Sequence, residues 1–264
     1  MIKRSFSGLL LSGFFILIVT INPLRAETEA TISTREDVTL SFIVTKPDGP
    51  IKSAAILFSG GSGKIKLWKG RGPRSKNFLV RSRARFAKRG VLTITVDVPS
   101  DRRRKGAIFW RDSDEHRQDI ASLIKWVKTK TQAPLWLIGT SRGAVSVAYL
   151  AGSLPVDGAV FSATVTEVSN AGKPTAHDAD LRKIKIPSLI AHHKEDACVV
   201  TPVDSLPAFA AALKNAPKVE TIVFEGGDPD ISNPCKAQSA HGFLGIEDQV
   251  VGRIVNWMHA NTPQ

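Results

Sequence analysis

The chain has 264 residues, 42% of them hydrophobic, and carries a formal net charge of +12 at pH 7. This length and apolar content suit one well-buried domain of the size that α/β folds reach. The positive charge alone would fit a nucleic-acid-binding protein, but the sequence has no zinc-finger spacing, no basic stripe interleaved with aromatic residues and no recognition-helix pattern. We therefore expect no nucleic-acid partner and interpret the charge as a solvated basic surface.

The N-terminal 26 residues have the layout of a secretory signal peptide. Lys3 and Arg4 provide a positive start, residues 8–21 are apolar and uncharged, and residues 24–26 (Leu-Arg-Ala) offer a cleavage site. The apolar run is short for a membrane-spanning helix, and an uncleaved anchor is the alternative interpretation. We expect residues 1–26 to be removed during export.

The mature chain, residues 27–264, is expected to form a single domain with no stable membrane anchor and to be periplasmic or secreted. Removing Lys3, Arg4 and Arg25 lowers the number of Lys and Arg residues from 36 to 33 against 24 acidic residues, a net charge of +9. The chain therefore stays basic after cleavage.

Hydrophobic periodicity predicts strands that alternate with helices along the mature chain. The predicted strands cover residues 39–44, 53–58, 91–98, 135–139, 158–164, 188–193 and 219–224. The predicted helices cover residues 77–89, a segment that starts near Asp112, and residues 142–151, 207–214 and 245–259. This alternation predicts an α/β fold with a mostly parallel central sheet flanked by helices on both faces.

The most informative motif lies between the strand at 135–139 and the helix at 142–151. An apolar strand pattern leads into Gly139-Thr140-Ser141-Arg142-Gly143, and a helix pattern follows at once. G-x-S-x-G between a strand and a helix is a nucleophile elbow, in which a sharp turn presents the serine hydroxyl at the N-terminus of the helix. Ser141 is therefore the predicted nucleophile, and an ordinary turn serine is the alternative.

Two further polar residues follow later strands in the order that such a nucleophile requires. Asp196 comes shortly after the strand at 188–193, and His241 lies between the last strand and the last helix. Both positions are at the carboxyl ends of strands, the edge where open α/β sheets place their sites. Asp196 would orient His241, and His241 would take the proton of Ser141. Glu195 is the alternative acid.

A serine nucleophile also needs hydrogen-bond donors for the negative oxygen of the tetrahedral intermediate. We expect one donor to be the backbone N–H of Arg142, which follows the nucleophile. The other is expected from the glycine-rich loop after the strand at 53–58, with Gly61 preferred and Ser62 as the alternative. Glycines suit this loop because the substrate must approach its backbone closely.

The remaining histidines predict neither a metal site nor another cofactor. His177 lies in a His-Asp-Ala-Asp segment, but no residue nearby has ligand spacing. His116 and His259 lie on predicted helices and are expected to be solvated, whereas His192 and His193 are expected to pack or line the pocket beside the acid. We expect no metal and no cofactor.

Cys198 and Cys235 are the two cysteines of the chain. In an exported protein an even number of cysteines permits a disulfide, and only one pairing exists here. Two free thiols are the alternative.

These motifs together resemble those of the α/β-hydrolase superfamily, and more closely those of exported bacterial hydrolases of ill-defined substrate. The segments that carry the resemblance span nearly the whole mature chain and comprise residues 58–61, 77–81, 99–102, 139–143, 233–235 and 241–243. The resemblance implies an α/β-hydrolase fold, a Ser141–Asp196–His241 triad, and hydrolysis of carboxylic esters or related acyl bonds through an acyl-enzyme. The oxyanion loop departs from the usual His-Gly start, because it carries Ser59-Gly60.

Given this resemblance, a disulfide between Cys198 and Cys235 would tie the loop of Asp196 to the loop of His241. About 20 residues separate the strand at 158–164 from the next one, too few for a large lid, so an open pocket for a small or exposed ester is expected. The resemblance therefore favours a small-molecule acyl or ester substrate over the substrate of an interfacially activated lipase.

Two basic loops, residues 64–74 and 102–105, leave the sheet at the same edge as the predicted site. They favour an anionic substrate, and a solvated basic face is an equal alternative. A peptidase or amidase on the same triad and a non-catalytic binding protein with a hydrolase fold are the alternative functions.

Overall fold

The structure is a computed structural model that describes residues 27–67, 72–169 and 171–262. The predicted signal peptide, residues 1–26, lies outside the described residues, as does the middle of the basic loop at 64–74. Within the described ranges, no helix is both long enough and apolar enough to cross a membrane.

The described residues form one eight-stranded sheet and five α-helices. The strands are β1 (Glu27–Arg35), β2 (Val38–Thr45), β3 (Ser53–Phe58), β4 (Val91–Val96), β5 (Leu135–Thr140), β6 (Gly158–Ser162), β7 (Ser188–His193) and β8 (Val219–Phe224). The helices are α1 (Phe78–Ala87), α2 (Asp114–Lys128), α3 (Arg142–Leu150), α4 (Leu206–Ala212) and α5 (Glu247–Ala260). Short 3₁₀ turns lie in several of the connections.

The strand order is β1-β2-β4-β3-β5-β6-β7-β8. β2 pairs antiparallel with β1 and with β4, and every other neighbouring pair is parallel. The mostly parallel sheet flanked by helices is thus confirmed. Because β3 to β8 run in one direction, the loops that follow β3, β5, β7 and β8 leave the sheet at the same edge.

Helices cover both faces of the sheet, as the alternation of side chains along β5 shows. Leu137 belongs to a core cluster with residues of α2, α3 and α4, whereas Trp136 and Ile138 pack in a second cluster with α1 and α5. All three side chains are fully buried. Strands covered on both faces consist of nearly continuous apolar residues. The central strands can therefore be predicted from the sequence.

The sequence did not predict β1, which pairs along its length with β2 at the edge of the sheet. Its residues are mainly Glu, Thr, Ser and Arg, and most of them are partly exposed, so no apolar alternation marks the strand. Arg35 at its end donates from Nε to Asp119 Oδ1 of α2 at 2.8 Å. Pairing with β2 and this ion pair, both tertiary contacts, hold β1 in place.

His116 on α2 is buried, so the expectation that it is solvated is wrong. Its ring centroid lies 4.5 Å from that of Trp110 and 5.8 Å from that of Phe58. Within the described ranges, neither of its ring nitrogens has a hydrogen-bond partner. Burial, together with the nearby guanidinium of Arg111, lowers the pKa of His116 to about 3, so the imidazole is neutral near pH 7.

We expect His116 to make the fold sensitive to acid. The unfolded chain binds a proton at this histidine near pH 6.5, but the folded chain binds it only near pH 3, so its contribution to stability is lost as the pH falls through this window. The free energy of unfolding should fall by up to about 1.4 kcal/mol per pH unit because of this group. Urea unfolding at several pH values should show a shallower pH dependence for His116→Phe than for the wild type. Equal pH dependences would contradict the prediction.

Candidate active site

The turn between β5 and α3 holds Ser141 in a strained backbone conformation. Its φ is 54°, in a region that non-glycine residues rarely occupy and that is enriched at functional sites. The Ser141 N–H donates to the carbonyl oxygen of Ser162 at 2.8 Å, and the Ser141 carbonyl accepts from the N–H of Ala144 at 2.9 Å. β6 and the first turn of α3 therefore fix the geometry of this elbow.

Close backbone packing explains the glycines around Ser141. A Cβ atom at Gly139 would overlap the carbonyl of Gly143, and one at Gly143 would overlap the carbonyl of Phe58. A Cβ atom at Gly60 would lie 2.9 Å from the Cβ of Ser141. The loop after β3 consequently packs directly against the elbow.

This loop and the start of α3 offer free backbone donors. Gly61 has a φ of +57°, and the Gly63 N–H donates to the Gly60 carbonyl at 3.1 Å, which closes a tight turn. In the part of the chain that the structure describes, the N–H groups of Gly61, Ser62 and Arg142 donate to no other group. Such unpaired donors are what an oxyanion hole requires.

Asp196 and His241 contact each other directly. Asp196 follows β7, and His241 lies in a 3₁₀ turn between β8 and α5. His241 Nδ1 lies 2.8 Å from Asp196 Oδ2, and both side chains are almost fully buried. The other carboxylate oxygen, Oδ1, accepts from the N–H of Cys198 at 3.0 Å. The carboxylate is therefore held on both oxygens and faces the imidazole.

The surroundings of Asp196 keep it ionised. Burial raises the pKa of this carboxyl, but the hydrogen bond and charge of His241, the N–H of Cys198 and the nearby His192 outweigh burial and lower the pKa overall. An ionised carboxylate accepts the Nδ1–H of His241 and leaves Nε2 free to take a proton.

Glu195 occupies a different environment from Asp196. Its carboxylate is largely exposed and lies 3.8 Å from Nδ1 of His193, not beside His241. The structure thus brings Asp196, and not Glu195, to the histidine.

Ser141 shares the sheet edge with this pair but does not bond to it. Among the residues described, no hydrogen bond joins the Ser141 hydroxyl to the imidazole of His241. Catalytic hydrogen bonds are often long in proteins without substrate and shorten only in the Michaelis complex. The geometry therefore has a preformed Asp–His pair and a separate strained serine.

Cys198 and Cys235 are joined by a disulfide across a sequence separation of 37 residues. The bond links the loop of Asp196 to the segment before His241. Potential ligand atoms of Asp196, Cys198 and His241 lie within 4.8 Å of one another, but the Cys198 sulfur is bonded to Cys235 and the other two residues bond each other. The donor chemistry therefore fits a crosslinked acid–histidine pair and not a set of metal ligands.

Removing the disulfide is expected to weaken both the fold and the site. In the double variant Cys198→Ser, Cys235→Ser we expect a loss of about 4 kcal/mol of stability, because the unfolded chain is no longer constrained. We also expect any reaction that depends on His241 to slow by about 10- to 100-fold, because small displacements of His241 misalign the reacting groups. Thermal unfolding and kinetics of the variant and of the reduced wild type measure both effects. Unchanged rates in both samples would contradict the role given to the crosslink.

Sequence reasoning missed Thr201, which contacts both members of the pair. Its hydroxyl lies 2.9 Å from Asp196 Oδ2 and 3.3 Å from His241 Nδ1. His192, which was expected to pack or line the pocket beside the acid, is buried with its Nε2 3.5 Å from the same carboxylate oxygen. The separation of Thr201 from Asp196, five residues in a loop, is no recognisable motif, so only the folded loop reveals the contact.

Comparison with known proteins finds matches among solved structures and none among family models or curated sequences. Solved structures do match over most of their length. An esterase from Pyrococcus furiosus has a TM-score of 0.64 at 14% identity, with 90% of this chain and 92% of that chain covered.

Two further structures give the same result. An alpha-beta serine hydrolase homologue from Coxiella burnetii has a TM-score of 0.58 at 18% identity, covering 89% of this chain and 96% of its own. A serine hydrolase without a lid from Xanthomonas campestris has a TM-score of 0.56 at 15% identity, covering 88% and 96%. In this chain, the described part of residues 163–187, between β6 and β7, holds only two 3₁₀ turns and no α-helix. The chain therefore has the α/β-hydrolase fold, and the described residues between β6 and β7 form no large lid.

Proposed function

We propose that this protein is an exported serine hydrolase that cleaves carboxylic esters or related acyl bonds. The observation that carries the proposal is the buried Asp196–His241 pair, joined at 2.8 Å, at the sheet edge where Ser141 is held in a strained elbow. The fold alone would not support an activity, because α/β folds host many functions. A spatial arrangement of nucleophile, base and orienting acid is the stronger argument.

In the proposed mechanism His241 removes the proton of Ser141 as the serine oxygen attacks the acyl carbon. Asp196 holds the imidazole in the required tautomer and stabilises its charged form. The negative oxygen of the tetrahedral intermediate accepts hydrogen bonds from the N–H groups of Arg142 and Gly61, with Ser62 as the alternative donor. The intermediate collapses as His241 protonates the departing alcohol.

The resulting acyl-enzyme is then hydrolysed. Water enters the site of the departed alcohol, and His241 takes its proton as the water oxygen attacks the acyl carbon. A second tetrahedral intermediate, held by the same donors, collapses to release the carboxylic acid and restore the Ser141 hydroxyl.

The proposed substrate is a small ester, and an anionic one is favoured over a neutral one. Because the described lid-position segment holds only 3₁₀ turns, we expect the Ser141 side of the site to be accessible to a small substrate. The two basic loops contact each other through Lys64, whose Nζ donates to the Arg104 carbonyl at 2.8 Å. Just outside these loops, the Ala107 N–H donates to the Ser62 carbonyl at 2.8 Å. The cations of the two loops would attract a substrate carboxylate.

The proposal of export is supported by the basic and then apolar N-terminal sequence and by the disulfide, since structural disulfides persist in oxidising compartments.

A small substrate panel tests the proposal. The protein and its Ser141→Ala variant are assayed with a neutral ester, an ester whose acyl chain ends in a carboxylate, and the amide of the same acid. We expect hydrolysis of both esters that depends on Ser141, with a higher kcat/KM for the anionic one. Faster cleavage of the amide would favour the peptidase alternative, and no Ser141-dependent turnover of any compound would favour a non-catalytic binding protein.

A further inference from the structure

Arg111 is a buried cation without an acidic partner. It follows Trp110 in the loop between β4 and α2, and only 3% of its surface is exposed. Across the described part of the chain, no carboxylate lies within ion-pair distance of its guanidinium. Burial and the neighbouring guanidinium of Arg142 lower the pKa of Arg111 to about 9, which still leaves it charged at pH 7.

The guanidinium links the two elements that carry the oxyanion donors. Nη2 donates to the carbonyl oxygen of Ser59 at 2.8 Å, and Nη1 donates to Oγ of Ser146 at 2.7 Å. Ser59 begins the loop that contains Gly61, and Ser146 lies on α3 behind the elbow. One rigid side chain thus connects the loop after β3 to the helix whose first N–H belongs to Arg142.

Packing alone does not account for this arrangement. Burying a charge without a counter-ion is unfavourable, and an apolar side chain of similar volume often stabilises a fold as well or better. Neutral His116, Trp110 and Phe58 pack beside Arg111, and the nearby guanidinium of Arg142 adds a like charge instead of a counter-ion. A cation retained in such surroundings indicates a role in the site.

We propose that Arg111 is a positioning residue for the oxyanion hole, which holds the Ser59 carbonyl and α3 so that the N–H groups of Gly61 and Arg142 point at the same substrate oxygen. The inference rests on the proposed hydrolase function and extends it to a residue that does not touch the substrate. The planar fork of an arginine suits this role because it can bond two acceptors at a fixed angle, which a lysine cannot do.

Two variants distinguish the effect of the Arg111 hydrogen bonds from the effect of its charge. Arg111→Met removes both hydrogen bonds and the charge, and we expect it to lower kcat about 100-fold, close to the loss of one oxyanion donor. Arg111→Lys keeps the charge but loses the fork, and we expect a decrease of about 10-fold or more. KM should change by less than about threefold in both, because the hydrogen bonds to the oxyanion form only in the transition state.

The inhibition constant of a trifluoromethyl ketone tests the positioning role, because a purely structural role of Arg111 would leave this constant unchanged. Ser141 adds to the ketone carbonyl, and the hemiketal oxygen takes the place of the oxyanion. Its inhibition constant should rise in proportion to the fall in kcat/KM across the variants, whereas the inhibition constant of the carboxylic acid product should stay nearly constant.

Asp119→Asn is the matched control, because it disrupts a different buried charge, the Asp119 carboxylate on α2, which pairs with Arg35 and not with the oxyanion loop. It should lower the melting temperature and leave kcat and the ketone affinity within about twofold of the wild type. Ser146→Ala, which removes only the second acceptor of Arg111, should lower kcat about three- to tenfold with the fold intact.

The outcomes distinguish a failure of the proposed hydrolase function from a failure of the positioning role of Arg111. If the wild type has no Ser141-dependent ester hydrolysis, the proposed function fails. If the wild type is active but folded Arg111→Met retains its kcat and its ketone affinity, the positioning role is wrong. Should Arg111→Met not fold, an unchanged kcat in both Arg111→Lys and Ser146→Ala overturns the inference.

Discussion

Replacing Ser141 with alanine is expected to lower kcat for the proposed ester hydrolysis by about 10⁴- to 10⁶-fold. Without the hydroxyl no acyl-enzyme can form, and only binding and the oxyanion donors remain to assist the attack of water. Alanine keeps the Cβ that the strained turn already accommodates, so the elbow itself should be retained. Steady-state kinetics with a chromogenic ester, together with circular dichroism, measure both properties.

Ser153→Ala serves as the control for this substitution. Ser153 is an exposed serine in the turn that follows α3, so its removal should leave the rate unchanged. A Ser141→Ala protein that folds and retains more than about 1% of the wild-type kcat would show that another group is the nucleophile.

Asp196→Asn is expected to lower kcat by about 10⁴-fold while the protein remains folded. The amide of asparagine would donate to Nδ1 of His241, which forces the proton onto Nε2, the nitrogen that must accept the proton of Ser141. The 2.8 Å contact between Asp196 and His241 would then hold the wrong tautomer in place. Kinetics above and below neutral pH should show the defect throughout, because tautomer selection does not depend on the overall charge of the site.

Glu195→Gln is the matched control for Asp196→Asn. The two carboxylates are adjacent in the sequence, but that of Glu195 is exposed and contacts His193. We expect its substitution to change kcat by less than about twofold. A larger effect for Glu195→Gln than for Asp196→Asn would reverse the assignment of the acid.

The central part of the fold was predictable because its signals are local. The spacing of apolar residues differs sharply between β5 and α3. The glycines between these elements indicate a turn that is too tight for side chains. The order of Asp196 and His241 could be read from their positions after successive strands. Each of these signals depends on a few residues near one another in the sequence. The structure confirms the mostly parallel sheet and places the side chains of Asp196 and His241 in contact.

Other features depend on tertiary contacts and left no local signal. β1 is polar and is held by pairing with β2 and by the Arg35–Asp119 ion pair. A polar histidine on a helix is usually exposed to solvent, yet His116 is buried between aromatic rings. Thr201 contacts Asp196 only because the loop after β7 folds back.

Arg111 shows most clearly why sequence reasoning was incomplete. Arg111 lies in a predicted loop, where a charged residue is normally solvated, although the four residues before it, 107–110, are apolar. Its partners, Ser59 and Ser146, lie 52 and 35 residues away. The contacts become visible only when the loops after β3 and β4 and helix α3 are assembled at one edge of the sheet.

Covalent labelling with a fluorophosphonate, followed by peptide mass spectrometry, tests the central claim most directly. The reagent phosphonylates an activated serine and needs no knowledge of the natural substrate. We predict a single adduct on Ser141, no adduct in Ser141→Ala, and labelling slowed by orders of magnitude in Asp196→Asn. A folded wild-type protein that forms no adduct, or one that carries the adduct on another residue, would contradict the account.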